Sequence, residues 1–291
     1  MSELVRSGDG IPLAFEVHGA GAPALVFVHG WSCDRSYWRG QLRPLAARYQ
    51  TVAVDLAGHG GSGVGRRAWT MAAFGEDVVA VVERLSLGQL VLIGHSMGGD
   101  VIVEAARRLG GRVAGLVWVD TYRSLGEPPT DDELEAFLAP FREDFARATR
   151  AMVRRLFTAD ADAELVDWVA ADMSAAPPEI ATDALRYAVS NERGILAGLR
   201  ELTAPVVAIN PDAWPTDTQA LRRHGVRAVQ VSGLGHFLMM EDPERFNRLL
   251  GEVIEELRAR QPPHGTATER RDAGGGAAGR LQAQRTAWGG L

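Results

Sequence analysis

Short apolar runs alternate with longer amphipathic stretches along most of the chain. The runs are four to seven residues long, rich in Val, Ile and Leu, and bounded by Gly, Asp or Pro. This pattern is typical of strands buried on both faces of a parallel sheet. A first pair, Leu4–Ser7 and Leu13–His18, flanks Asp9-Gly10 and predicts a hairpin. The other predicted strands are Ala24–Val28, Thr51–Val54, Leu90–Ile93, Val113–Val119, Pro205–Ile209 and Val226–Val231.

The stretches between these runs carry apolar residues at helical spacing. The predicted helices are Tyr37–Arg48, Met71–Leu85, Met97–Leu109, Thr216–Arg223 and Glu241–Arg260. Regular alternation of strands and helices predicts an α/β fold in which helices cover both faces of a mostly parallel sheet.

One connection is much longer than the others. No strand pattern occurs from Thr121 to about Leu202, and a segment of that length is expected to carry its own structure. Thr130-Asp-Asp-Glu133 is a capping box that predicts a helix through about Leu156, and two further helices are predicted at Ala163–Met173 and Glu179–Ser190. We therefore interpret 121–202 as a helical cap inserted between core segments 1–120 and 203–260. Residues 261–291 lack periodicity and are predicted to form a disordered tail.

Composition excludes several classes of protein. The single Cys33 leaves no internal disulfide, and 31 basic against 37 acidic residues give a net charge of −6, which does not favour nucleic acid or anionic membranes. All basic residues are Arg, so lysine Schiff-base chemistry and a Walker-type phosphate site are excluded. The sequence contains no run of about 18 apolar residues, so no membrane-spanning helix is predicted. We expect a cytoplasmic protein that acts on a small molecule. The sequence leaves open whether the protein forms a homo-oligomer.

The strongest chemical signal follows the run Leu90–Ile93. Gly94-His95-Ser96-Met97-Gly98 has the form G-x-S-x-G and lies between a predicted strand and a predicted helix. In that setting the serine occupies a strained turn that exposes its hydroxyl at the helix N-terminus, where developing negative charge is favoured. The sequence therefore predicts Ser96 as a nucleophile.

A second element fits acyl-transfer chemistry. The run Ala24–Val28 ends in His29-Gly30-Trp31, where a backbone N–H would face the carbonyl oxygen of a substrate. We expect the backbone amides of Trp31 and Met97 to form an oxyanion hole.

The chain resembles the α/β-hydrolase superfamily, in its capped serine esterase and lipase branch, over roughly residues 10–258. The matching pieces, in this order, are His29-Gly30-Trp31, Asp55-Leu-Ala-Gly-His59-Gly-Gly-Ser62, Gly94-His-Ser96-Met-Gly98 and Gly233-Leu-Gly235-His236-Phe237. The resemblance implies an eight-stranded sheet with a lid inserted after the sixth strand.

A serine hydroxyl needs a base to take its proton. His236 lies five residues after the last predicted strand, in a Gly-flanked loop, and holds the position of the catalytic histidine in the family that the chain resembles. His95 adjoins the predicted nucleophile and is expected to point away from it.

The acid that orients the histidine has two candidates. Asp120 ends the predicted sixth strand, where some capped members of the superfamily carry the acid. Asp212 follows the seventh strand in Asn210-Pro211-Asp212-Ala213-Trp214, near the commoner position, although the usual G-x-x-D pattern is absent. Both obey the order Ser, Asp, His, and both stay open at this point.

These residues predict a cofactor-independent serine hydrolase that cleaves an ester or related acyl bond of a small to medium, largely apolar substrate. Alternatives on the same fold are C–C bond hydrolysis, lactone opening and cofactor-free perhydrolysis. A ligand-binding or receptor protein with a residual triad, and Cys33 as the nucleophile, are further readings. The seven His are scattered, and neither a Cys pair nor a G-x-G-x-x-G after a strand occurs, so no metal and no dinucleotide cofactor are predicted.

Overall fold

The computed structural model describes residues 3–260 and contains one sheet of eight strands. The strands are β1 (Glu3–Arg6), β2 (Pro12–His18), β3 (Ala24–Val28), β4 (Thr51–Val54), β5 (Leu90–His95), β6 (Val113–Val119), β7 (Val206–Pro211) and β8 (Val226–Val231). Their order across the sheet is β1-β2-β4-β3-β5-β6-β7-β8. Strands β1 and β2 run antiparallel to each other, β2 runs antiparallel to β4, and all other neighbours are parallel. The predicted eight-stranded, mostly parallel sheet is confirmed.

The hairpin between β1 and β2 forms around the predicted turn. Arg6 pairs with Pro12, the Gly10 N–H donates to the Ser7 carbonyl oxygen at 2.9 Å, and Gly10 has φ +87°. Glycine tolerates this left-handed conformation because it has no Cβ to clash.

Eleven α-helices occur within residues 3–260. They are α1 (Arg39–Leu45), α2 (Met71–Arg84), α3 (Met97–Leu109), α4 (Asp131–Glu143), α5 (Phe145–Arg155), α6 (Ala163–Met173), α7 (Pro178–Val189), α8 (Glu192–Glu201), α9 (Thr218–Arg223), α10 (Leu238–Glu241) and α11 (Pro243–Ala259). Helices α2 and α3 pack together, as do α1 and α11. The central strands β3, β5 and β6 are buried at every residue, as expected for a sheet covered on both faces.

Five of the helices, α4–α8, lie in the connection between β6 and β7. The predicted capping box opens α4, since the Thr130 hydroxyl accepts from the Glu133 N–H and the Glu133 carboxylate accepts from the Thr130 N–H. The helix predicted through Leu156 breaks at Asp144, whose side chain accepts the Arg147 N–H and begins α5. An aspartate that caps a new helix competes with continuation of the old one.

Helix α8 was not predicted, because two glycines weaken its helical pattern. Gly198 lies so close to α3 that a Cβ there would be 2.6 Å from a Val103 methyl, and Ile195 is fully buried. Tertiary packing against α3 therefore stabilises a segment that local propensity does not.

Other boundaries differ from the predictions by a few residues. The predicted helix Tyr37–Arg48 begins as a 3₁₀ turn at Arg35–Trp38, and the predicted helix Glu241–Arg260 is preceded by the short α10. The predicted tail, 261–291, lies outside the described residues. Within residues 3–260, no helix combines the length and the apolar character needed to cross a bilayer.

Candidate active site

Ser96 occupies the sharp turn between β5 and α3, with φ +51° and ψ −122°. A Cβ on Gly94 would lie 2.2 Å from the Gly98 carbonyl oxygen, and one on Gly98 would lie 2.5 Å from the Val28 carbonyl oxygen. Only glycine fits at either position, so the G-x-S-x-G spacing is a steric requirement of the turn. The positive φ of Ser96 is a strained conformation for a residue with a Cβ, and this close packing maintains it.

His236 contacts Asp120 and not Asp212. The His236 Nδ1 lies 2.6 Å from Asp120 Oδ2, and both residues are buried. Asp212 is exposed, and its Oδ1 accepts the Gly233 N–H at 3.1 Å. Of the two acids that the sequence left open, the fold brings Asp120 to the imidazole.

The charge of Asp120 determines the tautomer of His236. Burial alone would raise the pKa of Asp120, but the hydrogen bond and charge of His236 and the charge of Arg123 outweigh burial and lower this pKa below its ordinary value. An ionised carboxylate can only accept hydrogen bonds, so the His236 Nδ1–H is the donor. The Nε2 of a neutral His236 is then left with its lone pair, as a general base requires.

The loop that carries His236 is held by three surrounding elements. The His236 N–H donates to the Leu156 carbonyl oxygen at 2.8 Å, just after α5, and the Glu241 carboxylate of α10 accepts the N–H groups of Gly235 and Phe237. The His236 carbonyl oxygen lies 3.0 Å from His95 Nε2. The contacts with Leu156 and His95 had no signal in the sequence, because each joins segments distant along the chain.

His95 was expected to point away from Ser96, but its side chain borders the cavity that Ser96 also lines. Its ring centroid is 4.5 Å from that of His236. Burial lowers the pKa of His95 well below the ordinary value, so the ring is neutral and its Nε2–H donates to the His236 carbonyl oxygen. The side chain thus lies under the loop, where it supports the backbone of His236.

Ser96 and His236 border one narrow cavity, with a volume of about 20 Å³ open to the centre of a water molecule. The residues that line it are Trp31, Cys33, His95, Ser96, Met97, Met152, Leu156, Met173, Leu185, Ala188, His236 and Phe237. No Asp, Glu or Arg is among them. Helices α5, α6 and α7 supply several of the apolar walls, so the cavity lies between the sheet edge and the α4–α8 segment.

The two predicted oxyanion-hole residues both border this cavity. Met97 is the first residue of α3, so no carbonyl within the helix can accept its N–H. The Trp31 indole N–H donates to the Ala181 carbonyl oxygen of α7 at 2.6 Å, which ties the loop after β3 to the α4–α8 segment.

Cys33 also borders the cavity, but it is buried and its thiol lies 3.3 Å from the Trp31 carbonyl oxygen. Burial raises the pKa of Cys33 well above its ordinary value, so the side chain is a thiol rather than a reactive thiolate. Within residues 3–260, no group of three or more His, Cys, Asp or Glu side chains is arranged to hold a metal ion.

Comparisons with known proteins identify the family and the fold. A family model described as the alpha/beta hydrolase family matches residues 25–249. A pimeloyl-[acyl-carrier protein] methyl ester esterase from Methylococcus capsulatus is 28% identical over 260 residues, which cover 83% of this chain and 98% of that relative. A thermophilic esterase structure from Thermogutta terrifontis, 24% identical, has the same fold with a TM-score of 0.75 over 88% of this chain and 99% of its own.

Other curated relatives match over only part of their length. The acetyltransferase component of the acetoin cleaving system of Pseudomonas putida is 35% identical over 125 residues, which are 43% of this chain and 34% of that protein. Because the family model covers most of the chain, the protein belongs to the alpha/beta hydrolase family.

Proposed function

We propose that the protein is a serine hydrolase that cleaves an ester or related acyl bond through Ser96, His236 and Asp120. The observation that carries the proposal is the meeting, at one cavity, of a strained serine turn and a histidine bonded to a buried carboxylate. The three residues follow β5, β6 and β8, so their convergence is a property of the fold rather than of the local sequence.

The proposed reaction begins when His236 Nε2 takes the proton of the Ser96 hydroxyl as the oxygen attacks the substrate carbonyl carbon. The negative charge on the carbonyl oxygen is stabilised by the N–H groups of Trp31 and Met97 and by the N-terminus of α3. The imidazolium then gives its proton to the leaving alcohol. Water, activated by His236, attacks the acyl-enzyme and releases the acid, and Asp120 keeps His236 in the productive tautomer throughout.

The lining of the cavity supports a small to medium, largely apolar acyl group. Its walls are mainly Met, Leu, Phe and Ala side chains, and a charged substrate would find no counter-ion among them. Met152 and Met173 are flexible and can adapt to different chains. In this proposal the α4–α8 segment, within 121–202, is a cap that closes over the substrate and excludes water.

Hydrolysis of p-nitrophenyl butyrate by the wild type and Ser96→Ala tests the proposal. We expect Ser96→Ala to lose at least about 10³-fold in kcat with an unchanged melting temperature, since the hydroxyl forms the covalent bond. Cys33→Ala is the matched control, because it removes the other nucleophilic atom of the cavity and should keep activity within several-fold.

Labelling by an alkyl fluorophosphonate separates an enzyme from a ligand-binding protein on the same fold. We expect rapid labelling that maps to Ser96 and is absent in Ser96→Ala. Full activity of Ser96→Ala, or a wild type that neither labels nor hydrolyses esters, would refute the proposed function.

A further inference from the structure

Asp120 binds a second partner besides His236. Arg123 Nη2 lies 2.9 Å from Asp120 Oδ2, the oxygen that His236 Nδ1 reaches at 2.6 Å, and Arg123 Nε lies 3.2 Å from Oδ1. The guanidinium therefore spans both carboxylate oxygens, with only 13% of its side chain exposed. Arg123 Nη2 and His236 Nδ1 bind the same oxygen, Asp120 Oδ2, so the two nitrogens are close neighbours.

Two features hold Arg123 in this place. Asp120 has φ +43°, so the chain turns sharply after β6 and brings residue 123 back beside residue 120. The Arg123 guanidinium lies over the Trp214 ring at 4.3 Å from its centroid, a cation–π contact, and the Arg123 carbonyl oxygen accepts the Asp217 N–H at 2.7 Å. Trp214 and Asp217 belong to the loop after β7, which also carries Asp212.

The arrangement has an electrostatic consequence for the proposed reaction. Asp120 must stabilise the imidazolium that forms when His236 takes the serine proton. A permanent positive charge on the same carboxylate opposes that imidazolium, and burial makes the effect stronger than it would be in water. The same bidentate contact fixes the plane of the carboxylate.

Other charged and titratable groups also face this dyad. His95 of β5 contacts the His236 ring and carbonyl, and is neutral because it is buried. Glu241 of α10 accepts two N–H groups of the His236 loop, and Asp160 acts on Glu241 from the turn after α5. Among these groups only Arg123 carries a fixed positive charge that contacts Asp120.

We propose that Arg123, held by Trp214, is a positioning residue that orients Asp120 and moves the working range of the Ser96–His236 pair to lower pH. The inference rests on the proposed function, since it concerns the same histidine as a base. Loss of the guanidinium would leave Asp120 free to stabilise the imidazolium more strongly, so the acid limb of the pH profile for reaction at Ser96 would move to higher pH.

The test is the second-order rate constant for labelling by an alkyl fluorophosphonate, measured from pH 4 to pH 9. This readout follows the reactivity of Ser96 and needs no knowledge of the natural substrate. We expect Arg123→Gln to raise the midpoint of the acid limb by about one pH unit. Arg123→Lys keeps the charge and should restore most of the wild-type midpoint, with a lower plateau because lysine cannot bind both oxygens.

Two further variants complete the design. Trp214→Leu removes the ring that holds the guanidinium without touching the dyad, and should shift the midpoint in the same direction by a smaller amount. Arg154→Gln removes an arginine whose side chain is 58% exposed and pairs with Asp167, and should leave the midpoint unchanged. It controls for the loss of one positive charge from the molecule.

An unchanged midpoint in folded Arg123→Gln would overturn the inference while labelling at Ser96 still supported the proposed function. If Arg123→Gln does not fold, Trp214→Leu decides instead. A midpoint of the acid limb that is unchanged or lower in Trp214→Leu would overturn the inference. A wild type that is not labelled at Ser96 refutes the proposed function, and the inference with it.

Discussion

Asp100 in the first turn of α3 offers a sharp test of the electrostatics of this fold. It is fully buried, and its Oδ1 accepts hydrogen bonds from the Tyr122 hydroxyl at 2.9 Å and the Asn191 amide at 2.8 Å. Its Oδ2 has no hydrogen-bond partner within the described part of the chain. In Asp100→Asn, the amide oxygen can still accept both hydrogen bonds, and the buried charge is removed.

The magnitude follows from the protonation of Asp100. Burial raises the pKa of Asp100 from its ordinary value of 3.8 to about 7. A pKa difference of roughly three units between the folded and unfolded states corresponds to a loss of about 4 kcal/mol in the free energy of unfolding once Asp100 is fully ionised. Glu192, whose pKa burial raises to about 7, interacts with Asp100 and shares the titration, so we take about 2 kcal/mol as the contribution of Asp100.

The sign is set by which state holds the proton. The unfolded chain releases the Asp100 proton near pH 4, whereas the folded protein keeps it until near pH 7. The folded state therefore loses stability through this group as the pH rises from about 4 to about 7, and the loss is constant above that range. Asp100→Asn lacks the titration, so its stability relative to the wild type should rise by about 2 kcal/mol between pH 5 and pH 8.

Urea denaturation at pH 5 and pH 8, followed by circular dichroism, measures this difference. With m near 2–3 kcal/mol/M, the midpoint of Asp100→Asn relative to the wild type should rise by roughly 1 M between the two pH values. Asp167→Asn is the control, because the Asp167 side chain is 70% exposed, and it should show no such rise. Equal stability differences for Asp100→Asn at both pH values would refute the reasoning.

Three further predictions concern the proposed site. Asp120→Asn should lower kcat for a p-nitrophenyl ester by about 10³–10⁴-fold, because His236 loses its charged acceptor, whereas Asp212→Asn should stay within several-fold; comparable losses in both would contradict the assignment. Gly98→Ala should lower the free energy of unfolding by about 3 kcal/mol in a thermal melt, since its methyl would lie 2.5 Å from the Val28 carbonyl oxygen, whereas Gly88→Ala, with nothing within 4 Å, should be close to neutral. Ala188→Leu narrows the cavity, so it should reduce kcat/KM at least about 10-fold more for a hexanoyl ester than for an acetyl ester. Ala175 is exposed, and Ala175→Leu should not discriminate between the two esters. An equal loss for both esters in Ala188→Leu would show that Ala188 does not contact the acyl chain.

The helical connection shows where sequence patterns fail. The capping box at Thr130 was predicted correctly because it is local: two reciprocal hydrogen bonds, each from a backbone N–H to a side-chain oxygen, join residues that are three apart. Helix α8 was missed because Gly194 and Gly198 weaken its propensity, and only the close approach of Gly198 to Val103 explains the second glycine. The division into core and cap remains a prediction.

Some residues of the candidate site were predicted from local patterns, whereas the contacts between them were not. Ser96 is recognisable because the turn needs glycines at fixed spacing, and His236 because it follows the last strand in a glycine-flanked loop. The choice between Asp120 and Asp212 could not be made, since both end neighbouring parallel strands at the same edge of the sheet. The hydrogen bond from His95 to the His236 carbonyl oxygen had no sequence signal at all.

The sequence by itself determined the alternation of strands and helices, the sheet they form and the identity of the residue on the strained turn. These features depend on burial periodicity and on steric limits that act within a few residues. The tertiary structure decided which carboxylate meets the imidazole, which arginine shares that carboxylate, and which side chains close the cavity. The carboxylate–imidazole contact and the cavity join segments far apart in the chain, and Arg123, although only three residues from Asp120, lies against Trp214 of another loop. The existence of these contacts depends on how the backbone is packed, which no local pattern encodes.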